Sequence, residues 1–452
     1  MSESKDKDQE DYIAFQYRTL ENRISALPFS LILHILSFLS MKDVVKTSAL
    51  SKQWRYLWTS VLTLNFNGDY AMEVETRKFI TFVYKALILC KSPKIEKFVL
   101  ILKYSPCFAF DLNIFISFAI QNNVEDLELR LDFRCSEIEC YRLPQYIYCS
   151  SSLKKLKLNC CDVMPTSGVI SWKSLKSLSM EGVELGDGVI SQILLGSPCL
   201  EFLKLDYFRF RSALDIASSS LKKLVFKTNM SSGEYETLLE ISAPNLQSLE
   251  VLGHFHRIKF RLRNVSSLIN ANLNFSVYYD GSEIAVLPIL EVKGVPFQLT
   301  SCKSLALNTY VNRWDSPAIA SLLRSSPNLE TLVINMTPPC GQARKTFMCA
   351  KVVSLYCLDG EDYWTSPKRI LKCLLPHLKT VKIVGFAGDQ SGFRLPFIQL
   401  LLKNATTLKR MDIIIGKWFS YFRKCDITQF PREMQKLLSF PRSSPDAVIM
   451  FS

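Results

Sequence analysis

The sequence predicts an α/β protein, built from a short N-terminal helical unit, an irregular solenoid of strand-containing repeats and an α+β cap at the C-terminal end. Three observations support this prediction. Apolar residues follow helical spacing near the N-terminus, phrases close to LxxLxL recur through the middle, and strand-like and helix-like segments alternate near the C-terminus. The chain has 452 residues, and 48% of them are hydrophobic, which is enough for a large buried core.

The N-terminal part predicts a disordered tail followed by a helical domain. Residues 1–20 are polar and charged enough to stay disordered, whereas residues 21–66 form one compact unit. Apolar residues recur every three or four positions from 28 to 39, which predicts a first amphipathic helix. Pro28 suits its first turn because the missing N–H is not needed there.

Polar residues mark the starts of two further helices. Ser40 and Asp43 form an S-x-x-D pattern, so a second helix is predicted to begin at Met41. Ser51 can cap a third helix, whose inner face would carry two tryptophans and a leucine. Three helices this short cannot bury all their apolar surface against one another. Part of that surface must therefore face another protein or the next domain.

Residues 23–58, "RISALPFSLILHILSFLSMKDVVKTSALSKQWRYLW", resemble the F-box of plant F-box proteins along nearly their whole length. The resemblance implies that the helices dock on a Skp-family adaptor, which links the chain to a cullin scaffold carrying the ubiquitin-transfer machinery. It also implies a set of adaptor-facing residues. These are Leu27, Pro28, Ile32, Ile35, Leu36, Leu39, Val44, Val45, Leu50, Ser51, Trp54 and Trp58.

Three positions depart from the F-box pattern. Phe29 stands where an acid is usual and adds an exposed apolar group, Ser40 replaces a proline but restores a capping role, and Gln53 replaces a base. An alternative role for the tryptophans is to seal the first repeat of the following domain. We expect Trp54 to face the partner and Trp58 to lie in the core.

Residues 67–365 contain repeats of the kind found in leucine-rich-repeat proteins. "SLKKLKL", "SLKSLSM", "CLEFLKL", "SLKKLVF" and "NLQSLEV" begin at steps of 22, 25, 21 and 25 residues. Several are preceded by a helical phrase that ends at a proline, namely Pro93, Pro198 or Pro327. One such unit cannot bury its own leucines, so neighbours are predicted to stack into a solenoid. Parallel strands would form its concave face and helices its convex face.

Strand alternation predicts which side chains line the concave face. If the leucines of each strand point into the core, the residues between them point outward. The candidate target-binding residues are Lys155, Lys157, Asn159, Phe202, Lys204, Asp206, Lys223, Lys227 and Glu250. Solvent exposure alone would also make these positions polar. The period fails at residues 277–296 and 337–351, which are either loops or extended repeats.

The C-terminal segment, residues 366–452, resembles the FBD domain found at the end of many plant F-box and leucine-rich-repeat proteins. The resemblance is carried by "LPHLKTVKIVGFAG", "LLKNATTLKRMDI" and "LLSFPRSSPDA". It predicts strands around a helix near residues 395–403, followed by a second helix and a final strand. This segment would extend and close the repeat sheet.

Charge and cysteine content limit the compartment and the partners. Lysine and arginine exceed acids by 55 to 42, giving a net charge of +13, but the basic residues are dispersed, which does not favour nucleic acid as a partner. The fourteen cysteines are scattered, and no apolar leader is evident, so a reducing nuclear or cytoplasmic location is expected. No apolar run reaches the roughly 18 residues of a membrane span.

No catalytic, cofactor or metal site is predicted. The sequence lacks the GxSxG, HExxH, paired CxxC and phosphate-loop motifs. His254 and His256 fall on one side of a strand, but no cysteine or carboxylate pattern completes a metal site. We interpret the chain as a non-catalytic substrate-recognition subunit of a cullin ubiquitin ligase that binds a protein target. Alternatives are an F-box scaffold outside any ligase and, from net charge alone, a nucleic-acid-binding protein.

Overall fold

The computed structural model describes residues 27–52, 54–68, 73–132, 140–165, 169–186, 188–210, 214–230, 237–255, 258–274, 276–279, 282–285, 299–309, 316–336, 375–386, 392, 394–416 and 429–452. The chain divides into two compact units, residues 1–177 and residues 178–452. The predicted disordered tail, residues 1–20, lies outside the described residues.

The first unit begins with short helices and continues into alternating strands and helices. Its α-helices are α1 (Phe29–Leu36), α2 (Met41–Lys46), α3 (Glu73–Leu89) and α4 (Ala109–Gln121). Its 3₁₀ helices are Thr47–Ala49, Trp54–Ser60, Pro106–Phe108 and Gln145–Cys149. Its strands are β1 (Thr63–Gly68), β2 (Lys97–Lys103), β3 (Asp126–Asp132), β4 (Tyr141–Arg142), β5 (Lys155–Asn159) and β6 (Cys161–Asp162).

The strands of the first unit pair in parallel because a crossover returns the chain to the same edge each time. The order is β1-β2-β3-β5, and β4 pairs separately with β6. Apolar residues align across the strands, so that Leu100, Leu129 and Leu158 form one buried column. Trp172 lies fully buried, and its indole N–H donates a 2.7 Å hydrogen bond to the Ile147 carbonyl.

The second unit contains more strands than helices in its described part. Its α-helices are α5 (Val189–Gly196), α6 (Ser316–Ser325), α7 (Arg394–Asn404) and α8 (Gln429–Leu438). Its strands, the first of which begins at the boundary residue, are β7 (Ser177–Glu181), β8 (Glu184–Leu185), β9 (Phe202–Asp206), β10 (Arg209–Phe210), β11 (Leu214–Ala217), β12 (Lys223–Met230), β13 (Thr237–Ser242), β14 (Ser248–Phe255), β15 (Ile258–Arg263), β16 (Asn270–Asn274), β17 (Ser276–Tyr279), β18 (Ser282–Ala285), β19 (Ser304–Asn308), β20 (Thr331–Asn335), β21 (Thr380–Phe386), β22 (Arg410–Ile415) and β23 (Val448–Phe451).

The main sheet of the second unit confirms the repeat prediction. Its strands follow the order β7-β9-β12-β14-β16-β19-β20-β21-β22-β23, with parallel pairs from β9 onward. The LxxLxL leucines align across neighbouring strands, as Leu203, Leu224 and Leu249 do, and they are buried. Residues between them are more exposed, because side chains in a strand point alternately to its two sides. The α/β fold class with parallel-strand repeats is confirmed.

Helices do not fill every return segment, which corrects the prediction of a helical convex face. Strands β11, β13 and β15 form a separate parallel sheet in positions where helices were expected. Their sequences "LDIA", "TLLEIS" and "IKFRLR" are short and alternate with a period of two, which favours strands. In contrast, α3, α5 and α6 end before Pro93, Pro198 and Pro327 as predicted.

The first irregular region lies partly among the described residues. Strands β17 and β18, residues 276–279 and 282–285, form an antiparallel pair, so the chain leaves the parallel repeat pattern here. Residues 337–351 lie outside the described residues. Near the C-terminus the predicted helix is present as α7, and α8 and β23 follow it. The assignment of this segment to an FBD domain stays a prediction.

Candidate functional site

Helix α1 has one buried face and one exposed apolar face. Ile32 and Leu36 are each only 1% exposed and point into the chain. Leu31, Ile35 and Phe38 are spaced by four and three residues, which places them on one side of a helix and its following turn. Their exposures are 48%, 43% and 72%. An apolar stripe this exposed is typical of a surface that binds a partner.

Helix α2 begins as the capping pattern predicts. The backbone N–H of Asp43 donates to the Ser40 hydroxyl at 3.3 Å, and this hydroxyl also donates to the Asp43 carboxylate at 2.7 Å. Lys46 lies one turn later and contacts the same carboxylate at 2.9 Å. The hydrogen bonds from Lys46 and Ser40 hold the pKa of Asp43 below its ordinary value of 3.8. Ser40 therefore fixes the start of α2 despite replacing the usual proline.

The third helix is a 3₁₀ helix, Trp54–Ser60, and not a capped α-helix. Its backbone starts with a 3.1 Å bond from the Trp54 N–H to the Ser51 carbonyl. The Ser51 hydroxyl is buried and has no hydrogen-bond partner among the described residues, so the predicted side-chain cap is wrong. Trp54 is 3% exposed, whereas Tyr56 is 67% exposed.

The twelve predicted adaptor-facing residues separate into three groups by burial. Those that lie exposed are Pro28, Ile35 and Leu50. Those that are half-buried are Leu27, Leu39, Val45, Ser51 and Trp58. Those that are buried are Ile32, Leu36, Val44 and Trp54.

The buried group requires a correction. Ile32, Leu36, Val44 and Trp54 are core residues of the helical domain in this structure, because each short helix turns its most apolar positions toward the others. The expectation that Trp54 faces the partner is wrong, because Trp54 is buried, whereas Trp58 is half-buried. These four side chains support the exposed surface and do not form it.

Part of this exposed surface was not predicted from the sequence. Leu31, Phe38 and Tyr56 were not among the candidate residues, although Leu31, Ile35 and Phe38 follow a helical stripe that is visible in the sequence. Phe29 was expected to be exposed, and its exposure of 54% confirms this. We call the exposed apolar side chains of the helical domain the apolar stripe; they are Phe29, Leu31, Ile35, Phe38, Leu50 and Tyr56.

The polar side of the sheet in the first unit carries paired charges. Lys155 and Lys157 are exposed and Asn159 is half-buried, as the strand alternation predicts. The Glu128 carboxylate lies 3.3 Å from Lys157 and 2.9 Å from Arg130. At the strand starts, Glu125 contacts Lys154 at 2.8 Å and Lys94 at 3.0 Å. Hydrogen bonds from Lys154 and Lys94 lower the pKa of Glu125.

The predicted target-binding residues of the second unit are less exposed than those of the first. Phe202, Lys204, Lys223 and Glu250 are half-buried, and Lys227 is exposed. The Lys223 ammonium group lies 2.7 Å from the Glu250 carboxylate, across the β12–β14 pair. With the exception of Asp206, the predicted target-binding residues thus lie on the polar side of their strands.

Asp206 is buried, which corrects its prediction as a surface residue. It is only 3% exposed, and its carboxylate lies 2.9 Å from the Lys204 ammonium group. The strand ends there, since Tyr207 has a positive φ of 48°, and the Gly182 N–H donates to the Asp206 carbonyl at 2.9 Å. The turn and the neighbouring side chains cover the carboxylate.

A polar groove of about 580 Å³ lies at the starts of five strands of the second unit, β14, β16, β19, β20 and β21. Three charged residues line it, with Glu330 lying 2.7 Å from Lys379 and 3.5 Å from Lys303. The hydrogen bond from Lys379 lowers the pKa of Glu330. His377 is exposed at this groove.

Among the described residues, no group of three or more histidine, cysteine or acidic side chains is placed to hold a metal ion. None of the described helices is both long enough and apolar enough to cross a membrane. His256 lies outside the described residues, so the histidine pair is not visible as a pair.

Comparison with known proteins agrees with this arrangement. The F-box domain model matches residues 24–65, and the model described as "At1g61320/AtMIF1, LRR domain" matches residues 88–430. Similar proteins of Arabidopsis thaliana include F-box/LRR-repeat protein At5g02910, which is 28% identical over 425 residues covering 87% of this chain and 88% of the relative. F-box/FBD/LRR-repeat protein At2g04230 is 29% identical over 422 residues, covering 86% of this chain and 88% of the relative. Since the repeat model covers most of its length and the F-box model covers the helical domain, the chain belongs to the plant F-box/LRR-repeat protein family.

Proposed function

We propose that this chain is the substrate-recognition subunit of a cullin-type ubiquitin ligase. In this proposal the helical domain binds a Skp-family adaptor, and the polar side of the repeat strands binds a protein target. The chain itself makes or breaks no bond, and it works in the nucleus or the cytoplasm. Its contribution is to bring target lysines close to the charged ubiquitin carrier, which raises their effective concentration.

The apolar stripe is the observation that carries this proposal. Leu31, Ile35 and Phe38 expose apolar side chains in a domain that already buries Ile32, Leu36 and Trp54. Each apolar side chain removed from water contributes roughly 1.5–3 kcal/mol when fully buried. Burial of the apolar stripe against a partner would therefore favour binding. The buried residues hold the exposed side chains in position.

Binding of a target by the repeats rests on the solenoid-type sheet. Parallel strands at regular spacing present side chains in rows, and such rows suit an extended protein surface. The predicted target-binding residues that remain exposed or half-buried are Lys155, Lys157, Asn159, Phe202, Lys204, Lys223, Lys227 and Glu250. Several of these residues form ion pairs within the chain. A target that displaces one partner of such a pair would have to supply a group of the same charge.

A reconstituted ubiquitin-transfer assay tests the ligase role. The full chain would be combined with adaptor, cullin, ubiquitin-activating and ubiquitin-conjugating enzymes and a protein captured from plant cells by the chain. We expect ubiquitin to be attached to the captured protein only when chain and adaptor are both present. In cells, depletion of the chain should lengthen the lifetime of this protein after synthesis is blocked.

The F-box scaffold is distinguished by the same assay. A scaffold would bind adaptor and target without attaching ubiquitin, and depletion of the chain would leave the lifetime of the target unchanged. That combination of results would replace the ligase proposal with the scaffold alternative.

A further inference from the structure

Three cysteines come together at the small parallel sheet that β4 and β6 form in the first unit. The register of this pair places Tyr141 opposite Cys161. Cys140 directly precedes Tyr141, and Cys160 directly precedes Cys161. The strand pairing therefore brings Cys140 and Cys160, which are distant in sequence, to the same end of the sheet.

Facing positions of β4 and β6 lie close enough for their side chains to meet. Arg142 and Asp162 are opposite each other in the register, and the Arg142 Nε atom lies 3.6 Å from the Asp162 carboxylate. Neighbouring parallel strands lie about 4.8 Å apart. A disulfide joins residues whose Cα atoms are about 4.4–6.8 Å apart. The spacing of the two strands therefore suits a disulfide between facing residues.

The electrostatic surroundings of Cys161 agree with this placement of the other two thiols. Burial, followed by the nearby Cys160 and Cys140 thiols, raises the pKa of Cys161 well above its ordinary value. Cys160 has a positive φ of 55°, so the chain turns there between β5 and β6. The Cys140 side chain thus lies near the turn that carries Cys160 and Cys161.

Burial separates the three thiols into one inert group and two accessible ones. Cys161 is fully buried, and its thiol donates a 3.4 Å hydrogen bond to the Asn159 carbonyl. Its raised pKa keeps it protonated, whereas the thiolate is the form that reacts. Cys140 and Cys160 are only half-buried, so a small oxidant can reach them.

We propose that Cys140 and Cys160 form a reversible disulfide when the chain meets hydrogen peroxide. One of the two sulfurs, as a thiolate, attacks the peroxide, and the O–O bond breaks to give a sulfenic acid and hydroxide, which takes up the proton of that thiol as water. The second sulfur then attacks the first. The S–S bond forms, the S–O bond breaks, and the oxygen leaves as a second water with the proton of the second thiol. The two sulfurs together lose two electrons, which reduce the peroxide.

This modification site goes beyond the proposed function, because it needs neither adaptor nor target. Both residues carry thiols in this structure. The nucleus and the cytoplasm keep thiols reduced, so the bond would form there only under oxidation. Cys160 follows Asn159, the last residue of β5. The disulfide would therefore tie the end of the strand that carries Lys155 and Lys157 to the segment that begins β4.

Disulfide mapping of the purified full chain tests this inference. The folded chain is treated with a small molar excess of hydrogen peroxide, the remaining thiols are alkylated, and the protein is digested without reductant for mass spectrometry. We expect a linked pair of peptides containing Cys140 and Cys160, lighter by two hydrogens, about 2 Da, than the two thiol peptides together. A dithiol reductant should separate the pair. The same treatment in concentrated urea should give this pair no more often than other cysteine pairs.

Variants distinguish the two thiols from their neighbours. Cys140→Ser should abolish the linked pair and leave Cys160 as a sulfenic acid, which a carbon-nucleophile probe labels. Cys160→Ser should give the converse result, and it provides the test if the first variant does not fold. Cys149 is an exposed cysteine of the same segment, so Cys149→Ser is the matched control and should form the Cys140–Cys160 bond as the wild type does.

Three outcomes would overturn the inference. The first is a folded chain in which the exposed Cys107 and Cys199 are oxidised but no Cys140–Cys160 pair is found. The second is pairing of Cys140 or Cys160 with a different cysteine, Cys161 included. The third is a linked pair that forms equally well in the unfolded chain. Because adaptor and target are absent, each of these results would leave the proposed function untouched.

Discussion

The two tryptophans of the helical domain show how burial separates neighbouring residues of the same type. Trp54 and Trp58 lie four positions apart in a 3₁₀ helix, which has three residues per turn and so places them on different sides. Trp54 is 3% exposed and Trp58 is half-buried. The sequence predicted an α-helix, in which this spacing would place both on one side. The 3₁₀ helix therefore accounts for the different burial of the two side chains, whereas the α-helix would have given them similar surroundings.

Replacement of the tryptophans should separate their contributions to stability. Trp54→Ala would leave a cavity in the helical domain and should lower its free energy of unfolding by about 3–5 kcal/mol. Trp58→Ala should cost clearly less, because part of its side chain already contacts water. Urea unfolding of both variants measures this. Equal losses, or a larger loss for Trp58→Ala, would contradict the burial pattern.

Asp43 should have a depressed pKa in the folded protein. Hydrogen bonds from Lys46 and Ser40 favour its charged form, so its pKa in an NMR titration should lie below 3.8. Because the folded-state pKa is lower than the unfolded one, pairing stabilises the fold above the unfolded pKa, and this contribution is lost as pH falls through the folded pKa. Lys46→Ala should move the value of Asp43 upward. A pKa at or above 3.8 in the wild type would disagree with this contact.

At the level of single residues, the sequence predicted which positions belong to the helical domain but not which of them reach the surface. Ile32 and Ile35 both fit the helical spacing of apolar residues, so the spacing alone does not show which of them is buried. Their burial depends on where the other short helices pack. Leu31, Ile35 and Phe38 of the apolar stripe can be told apart from the core residues only in the structure, where the opposite face of α1 is buried.

Among the elements, the repeat strands were the most predictable. The LxxLxL pattern combines buried leucines with a fixed spacing, and the resulting strands β5, β9, β12 and β14 begin at or near the predicted positions. The segments between them were less well predicted, because a helix followed by a strand was expected in every repeat. The short period-two sequences of β11, β13 and β15 favour strands instead.

Strand β21 contains a glycine that its local structure requires. Gly385 has a φ of +81°, and a Cβ atom there would collide with the carbonyl oxygen of Met336. Gly385→Ala should therefore lower the free energy of unfolding by at least about 2 kcal/mol, combining backbone strain with a steric clash. Chemical denaturation of the purified variant measures this loss.

Gly188 provides the matched control for this variant. It has a similar φ of +74°, but an added Cβ would meet no atom within 4 Å. Gly188→Ala should cost only the backbone strain, about 1–2 kcal/mol. If Gly188→Ala lowered the free energy of unfolding as much as Gly385→Ala, the clash with Met336 would not contribute to the destabilisation.

Over the whole molecule, the sequence predicted that an F-box precedes the leucine-rich repeats and which side of the repeat strands carries the polar residues. It did not predict which polar side chains lie beside one another in the second unit, because that depends on aligning strands separated by loops of different length. The strand register, for example, places Ala306 beside Val333 and Asn308 beside Asn335. The target-binding candidates chosen from sequence alone lie on other strands, from β5 to β14.

The structure also changes the best test of adaptor docking. Substitution of Leu36 or Trp54, which sequence analysis placed at the adaptor, would disturb the core of the helical domain and confuse unfolding with lost binding. Ile35 and Phe38 are exposed, so aspartate at both positions removes apolar surface without opening a cavity. Ile88 and Leu195 are exposed apolar residues outside the helical domain, at 78% and 85%, and give a matched control pair.

The most direct measurement of the central claim is the amount of recombinant Skp-family adaptor captured by the full chain and by these two double variants, each first shown to unfold at the wild-type temperature. We expect Ile35→Asp with Phe38→Asp to lower the affinity for adaptor by about tenfold or more, because apolar anchors dominate such interfaces. Ile88→Asp with Leu195→Asp should capture as much adaptor as the wild type. Undiminished capture by the folded Ile35→Asp/Phe38→Asp variant would contradict the account.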